Sequence, residues 1–368
     1  MLRAPANHPA ANLSAIVLAG TYQPADGTFS GLLPRPLLPI AQVPVVEYVL
    51  RWLRDAPMTR ATICANGGSR AISACLHTSA RLPMDLDFVH DEMPRGPAGS
   101  ARDAALATTA DTFIVVDATV IPDLDVAALA TAHATSGAAV TVVVHYAATG
   151  RKTGHRVATP AGIYVFSRRA FEAVSPSGFQ DIKEHLLPAL RRRHERVVAY
   201  PAPRMCPRVL NAETYLAVNH WMIERMPANL GMFEHWGAFT TAGNLVAHSN
   251  ADIHPTAKIV GPAILGAGVM VGAHATIVGP TSIGPDTRIG NGALVCRSVL
   301  WNGCSVGERA FVDQSVVASG VALRAGAIVE REVRVDRPKS QRFHLGLLPQ
   351  ATRLQPAPAG SLVDLAVP

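Results

Sequence analysis

Long apolar runs, aromatic residues and paired cysteines are all scarce in this sequence, and each scarcity removes a class of protein. No stretch approaches the roughly 18–20 consecutive apolar residues of a membrane-spanning helix, so no membrane span is expected. The opening segment MLRAPANHPAAN carries prolines and no apolar core, which does not read as a secretory signal peptide. The 5 cysteines are Cys64, Cys75, Cys206, Cys296 and Cys304; they are odd in number and show no close metal-ligand spacing. That pattern predicts reduced thiols in a cytoplasmic protein rather than a disulfide framework. Aromatics make up only 5% of the chain. The net charge is +6, but the basic residues are scattered apart from Arg191–Arg193 with Arg196, and a tail from Arg331 to Arg342. Both runs read as solvated faces, and nucleic acid is not an expected partner.

What remains is a 49% hydrophobic, 16% charged chain of 368 residues, enough for two domains with large cores. From Ser14 to about Trp221, short apolar runs alternate with helical patterns. Ala15–Gly20, Phe113–Val120, Ala139–Ala147, Gly162–Ser167 and Arg196–Ala202 read as buried strands. Pro44–Ala56 places Val45, Val46, Val49, Leu50 and Leu53 at helical spacing. Strands alternating with helices predict an α/β domain with a mainly parallel, Rossmann-like sheet, whose ligands sit at the carboxyl ends of the strands.

Beyond Ile253 the period changes. Small hydrophobics recur every sixth residue at Ile253, Ile259, Leu265, Val271, Ile277, Ile283, Ile289 and Val295. After a one-residue slip they continue at Leu300, Val306 and Val312, and then at Val317, Leu323 and Val329. This hexapeptide repeat predicts a left-handed parallel β-helix, a solenoid with exposed ends that favours association. The expected division is an extension (1–13), the α/β domain (14–221), a linker (222–251), the β-helix (252–330) and a C-terminal tail (331–368) that packs loosely or stays mobile.

Several segments in order resemble the sugar-1-phosphate nucleotidyltransferases. They are Ala15–Gly20, Pro34-Arg35-Pro36-Leu37-Leu38-Pro39-Ile40, Pro44–Tyr48, Met93–Gly99, Ala161–Phe166, Asp181–Pro188, and Asn211–Leu216 with Asn219. The branches that resemble it most are the mannose-1-phosphate guanylyltransferases and glucose-1-phosphate adenylyltransferases, which also carry a C-terminal hexapeptide β-helix. The resemblance implies attack of a sugar phosphate on the α-phosphorus of a nucleoside triphosphate, with pyrophosphate released. That chemistry needs backbone N–H groups on phosphate, carboxylates on a divalent metal, and cations on the phosphates.

Compared with the family's pattern, this chain is depleted. The family's glycine-rich loop is replaced by Gly20-Thr21-Tyr22-Gln23-Pro24-Ala25-Asp26-Gly27-Thr28, where Pro24 has no N–H to donate and only a re-routed Gly27-Thr28 offers a substitute. The signature lysine is Arg35, which keeps the charge in a wider fork. One metal aspartate aligns with Thr119, and Asp117, two residues earlier on the same strand face, is the stand-in. The other aligns with Arg208, with Cys206 at the motif's tryptophan. No sugar-phosphate clamp of the E-K-P type is present, and Lys152 reads as a loop charge.

The candidate residues are therefore Arg35 and Asp117 for catalysis, Leu18, Ala19, Gly20, Pro94, Gly96 and Ala98 for nucleotide, Gly162 and Arg208 for substrate, and none for metal. The leading expectation is a silent or weak relative that binds a nucleotide or nucleotide-sugar without a metal. It would act as a regulatory partner, oligomerising with itself or with an active paralogue through the β-helix. One alternative is a divergent active enzyme using Mg²⁺. Another is a β-helix acyltransferase with His254 or His274 as base.

Overall fold

The computed structural model describes residues 13–20, 29, 32–56, 58–66, 69–78, 84–90, 93–148, 156–226, 239–336, 343–344 and 363–364. The segment 21–28, which replaces the glycine loop, and Lys152 lie outside these residues.

The N-terminal part is built on strands β1 (Leu13–Leu18), β4 (Arg60–Ala65), β5 (Asp85–His90), β6 (Thr112–Asp117), β7 (Val140–Ala148), β8 (Arg156–Ser167) and β9 (Val197–Pro201), with a small hairpin of β2 (Pro39–Ile40) and β3 (Val43–Pro44). The main sheet runs β9-β7-β8-β6-β1-β4-β5, with the short strand Val363–Asp364 added antiparallel to β9. Every pairing among the main strands is parallel except those of β8, which runs antiparallel to both β6 and β7. The apolar runs are the central strands, buried on both faces as a helix-covered sheet requires.

Helices α1 (Val45–Asp55), α2 (Ser69–Thr78), α3 (Gly96–Leu106), α4 (Val126–Ser136), α5 (Leu187–Arg192) and α6 (Ala212–Arg225) connect them. In α1 the residues at helical spacing, Val45, Val46, Val49, Leu50 and Leu53, are all buried. Helix α4 starts on Asp125, whose carboxylate accepts from the N–H groups of Ala127 and Ala128, and stops at Gly137 with φ 62°. Among the described residues no helix is long and apolar enough to cross a membrane.

The C-terminal part is the left-handed parallel β-helix. Two-to-three-residue strands stack into three sheets, and the hydrophobics of the hexad pattern fall within them. From Leu265 to Val329 those side chains are buried in the prism. The first coil pairs Ala263 with Thr281, eighteen residues on, whereas Ser282 pairs with Val299, seventeen on. The missing residue is at one corner: Gly279-Pro280 in the earlier coil becomes the single residue Arg297, with φ 44°, and Gln314 and Arg331 repeat that conformation in later coils. Inside this corner a ladder of hydroxyls replaces apolar packing. Thr281, Ser298 and Ser315 accept from the N–H groups of Ser298, Ser315 and Glu332 respectively, which satisfies buried backbone donors coil after coil.

One apolar cluster joins α6, the β2–β3 hairpin and the β-helix. Tyr215 is fully buried; its hydroxyl donates to Pro39 O (2.7 Å) and accepts from Trp301 Nε1 (2.9 Å). Phe29 packs edge-on to Tyr215 and stacks on Trp301. Asn219 Oδ1 accepts from Ala41 N (2.9 Å), and Gln42 Nε2 donates to Ile283 O (2.6 Å). Strands β10 (Phe239–Ala242) and β11 (Leu245–His248) form a hairpin that joins the first sheet of the solenoid, and Phe343–His344 pairs with its last coil. The α/β sheet keeps its own apolar clusters, and the division at 1–13, 14–221, 222–251, 252–330 and 331–368 stands as a proposal about folding units joined at α6.

His133 on α4 shows how a polar core group fixes its own protonation state. Its ring lies between Thr141 Oγ1 (2.8 Å) and Ser167 Oγ (3.0 Å), and Ser167 Oγ donates to Ala138 O. Ser167 must therefore accept from Nε2–H, leaving Nδ1 to accept from Thr141: a satisfied neutral imidazole. Burial, with the charge of Arg169 second, pushes its pKa down to about 4 from 6.5. The unfolded chain binds this proton at the ordinary value, so the stabilisation is full above pH 6.5 and falls as pH drops toward 4. Between pH 7 and 5 this residue should cost about 2 kcal/mol of unfolding free energy. Denaturant titrations of the native chain and His133→Gln at both pH values check this; equal pH dependence in the two proteins would refute it.

Candidate functional site

The carboxyl edge of the sheet gathers most of the candidate residues. Leu18, at the end of β1, pairs in register with Asp117 at the end of β6. The chain then leaves the sheet through Ala19, whose N–H donates to Cys64 O (2.8 Å), while Ala118 N donates to Leu18 O (3.0 Å). Gly20 is exposed at this edge, and a Cβ there would meet the Asn66 side chain at 3.7 Å. Asn66 follows β4 directly. Sequence reasoning passed over it, although a polar residue just past a strand's carboxyl end is the signal that finds such groups.

The two positions aligned with metal carboxylates do come together. Residues 207–209 run antiparallel to 119–121, with Val209 N on Thr119 O and Ile121 N on Pro207 O, both at 2.9 Å. This pairing brings Arg208 onto Asp117 and Thr119. Arg208 Nη2 donates to Asp117 Oδ2 in an ion pair, and Arg208 Nε lies 3.4 Å from Thr119 Oγ1. The other carboxylate oxygen accepts from Thr119 Oγ1 (2.5 Å) and Thr119 N (2.8 Å). Both oxygens of Asp117 are thus engaged by protein donors. Gly162 (φ 86°) forms the adjoining wall: a Cβ there would lie 3.0 Å from Val120 Cγ2 and 3.6 Å from Arg208 Cζ. Tyr164 stands nearby, its phenol pushed up to about 12 by burial.

Arg35 opens a short 3₁₀ turn and donates through Nη1 to Leu210 O (3.1 Å), two residues past Arg208. The hairpin segment and the Arg208 segment are therefore tied at the same edge.

Pro94, Gly96 and Ala98 belong to the start of α3, which packs over β1 and β4, with Cys64 Sγ bonded to Ser100 O. Gly96 has φ 72°, and any Cβ would sit 2.6 Å from Gln180 O. Ala98 N donates to that same carbonyl. Arg95, which the sequence reading also left aside, clamps this loop to the next segment through Asp103 (2.8 Å), Gly178 O (2.7 Å) and Ser175 O (3.2 Å).

Neither thiol nor imidazole chemistry is set up here. Burial pushes the Cys206 thiol up to about 11, and His145, lowered by burial, accepts from Cys206 N rather than facing the sulfur. His254 and His274 lie exposed at a solenoid corner, where Thr256 Oγ1 is hydrogen-bonded to His254 Nδ1 and accepts from His274 N. The residues present do not fit a divalent cation either. Among the described residues no three His, Cys, Asp or Glu side chains converge, and Arg208 places a positive charge on the Asp117 carboxylate.

A mainly parallel sheet with its candidate residues at the carboxyl edge, followed by a hexapeptide β-helix, defines a nucleotidyltransferase architecture. Comparison agrees. Residues 15–208 match the MobA-like NTP transferase domain family. A mannose-1-phosphate guanylyltransferase of Mycobacterium tuberculosis is 20% identical, over 87% of this chain and 83% of that protein. A UTP–glucose-1-phosphate uridylyltransferase of Synechocystis sp. is 22% identical, over 86% of this chain and 90% of its own. Among solved structures, HddC from Yersinia pseudotuberculosis complexed with GMP-PN is 16% identical with a TM-score of 0.49, covering 57% of this chain and 99% of that one. The chain belongs to the MobA-like NTP transferase domain family and is a nucleotidyltransferase relative of the sugar-1-phosphate type.

The Gly96 geometry generates a prediction. Gly96→Ala combines a left-handed φ with a backbone clash and should destabilise by about 1–3 kcal/mol. Thermal unfolding beside Gly137→Ala, whose Cβ would meet nothing within 4 Å, checks it. Equal losses in both variants would show that φ alone matters and that the Gln180 contact does not.

Proposed function

We propose that this chain is a silent or weakly active member of its family, which binds a nucleotide or nucleotide-sugar in the cytoplasm and regulates or scaffolds NDP-sugar metabolism. The observation that carries this reading is the closure of Asp117 by Arg208 and Thr119. Leu18, Ala19 and Gly20, with Pro94, Gly96 and Ala98, would contour the nucleotide; Gly162 and Arg208 would face the phosphate and sugar. Transfer to an α-phosphorus rests on positioning and charge neutralisation. An edge whose carboxylate is already neutralised has lost the means of holding the metal that supplies much of it. Purified protein with Mg²⁺, GTP, ATP, UTP or dTTP and hexose 1-phosphates should release little or no pyrophosphate. Turnover near the enzyme median of about 10 per second with any pair would overturn the reading.

The partner surface belongs to the β-helix. Its outward face carries a ladder in register, Leu294, Phe311 and Ile328, ending in a residue 71% exposed. A second copy, or an active homologous chain with the same solenoid, is the partner such a face suits. Deleting the β-helix is a poor test, because it would strip the core around Tyr215. The double variant Phe311→Asp with Ile328→Asp should instead lower the assembly mass measured by light scattering. A native chain that already runs as a monomer, alone and with a homologue, would contradict this.

A further inference from the structure

We infer that the phosphates of the ligand are held at this edge without a divalent cation, by the Arg208 guanidinium locked onto Asp117, with Arg35 as the second cation. The inference rests on the nucleotide-binding reading above and goes further, assigning the charge partner of the ligand. Asp117 is a poor metal ligand in this arrangement: Arg208 sets a positive charge on one oxygen, and the other accepts both the hydroxyl and the N–H of Thr119. A hard cation would have to displace a guanidinium and then find further oxygen ligands, and no acidic cluster converges there among the described residues.

The same arrangement suits an anion. The Arg208 side chain keeps 25% of its surface exposed while paired. Gly162 forms the wall beside the pair, where a Cβ would stand 3.0 Å from Val120 Cγ2 and 3.6 Å from Arg208 Cζ, so a larger residue would press on the guanidinium. Arg35 is tied to Leu210 O, so the two guanidinium groups are anchored to one short segment, 208–210. A guanidinium offers five N–H donors, and the pair with Asp117 leaves others for phosphate oxygens. Asp117 orients Arg208 and lowers the net positive charge, which favours a diphosphate shared with a sugar over bare pyrophosphate.

Calorimetry tests this with GDP-mannose, UDP-glucose, GTP and UTP as probes, each in EDTA and in excess Mg²⁺. The probe that binds should do so in EDTA within about twofold of its affinity in Mg²⁺. Arg208→Gln should weaken it by about tenfold or more. Arg35→Gln, which leaves the ion pair intact, should weaken it as well and serves if the Arg208 variant fails to fold. Manganese titration followed by electron paramagnetic resonance should find no site in the native chain. Thr119→Asp combined with Arg208→Asp should create one, by setting two carboxylates beside Asp117. Binding that requires Mg²⁺, a manganese site in the native chain, or unchanged affinity in both arginine variants would overturn the inference and leave nucleotide binding standing. No binding of any probe under either condition would overturn both.

Discussion

A carboxylate at the end of a central strand has to be neutralised, and much of this structure follows from how Asp117 is neutralised. Its partner is a side chain 91 positions away, Arg208, rather than a solvated ion. Both members are partly buried, so removing one would leave the other charge incompletely solvated. The pair therefore fixes more than electrostatics. It pins residues 207–209 against 119–121, and that segment leads directly into the capping box of α6, where Asn211 and Thr214 bond each other's backbone.

From α6 the constraint passes into the β-helix. Tyr215 and Asn219, one turn apart on the helix, reach the hairpin through Pro39 O and Ala41 N. Two non-glycine residues with positive φ, Ala41 (48°) and Gln42 (67°), form the hairpin tip. That is an uncommon conformation away from glycine, and here it is held by bonds on both sides. Gln42 then reaches Ile283 O in the solenoid, and the other end of the hairpin segment carries Arg35. The edge with the candidate residues and the solenoid thus share one framework of hydrogen bonds. A partner docked on the solenoid would meet a structure already connected to that edge.

The sequence made some of this legible and hid the rest, for physical reasons that differ by residue. Hexad hydrophobics announce themselves because a prism interior imposes a strict local period, so Leu265 through Val329 were readable one by one. Helix α1 was readable for the same reason at a period of 3.6. Long-range pairing leaves no such trace. Nothing near Arg208 says that its partner is Asp117; only the alignment of motifs put them at one site, and only the fold shows them paired. The same holds for the antiparallel course of β8 and for the loss of one residue at the Arg297 corner. The sequence showed a slip there but not that Gly279-Pro280 had become a single left-handed residue. Asn66 was missed because a single polar residue outside a motif carries no periodic signal, and Arg95 because it fills the variable position of the Met93–Gly99 segment.

The motif residues that survive in this chain have jobs in the backbone. Gly96 is required by the approach of Gln180 O, and Gly162 by φ 86° against Val120. Asn219 is fully buried and holds the hairpin tip; Tyr215 bridges two segments. Pro36, Leu37 and Leu38 fill the core behind the short 3₁₀ turn. On the proposed reading, the positions that depart are those the resemblance assigns to phosphate, metal or sugar: the glycine loop, the carboxylates at Thr119 and Arg208, and the clamp. The first set is what the backbone of this fold requires, so the surviving motifs argue for the fold. The edge has not simply eroded, however. Beside Asp117 stand a hydroxyl and a guanidinium that engage both of its oxygens. That complementarity is the observation on which the proposed metal-free ligand site rests.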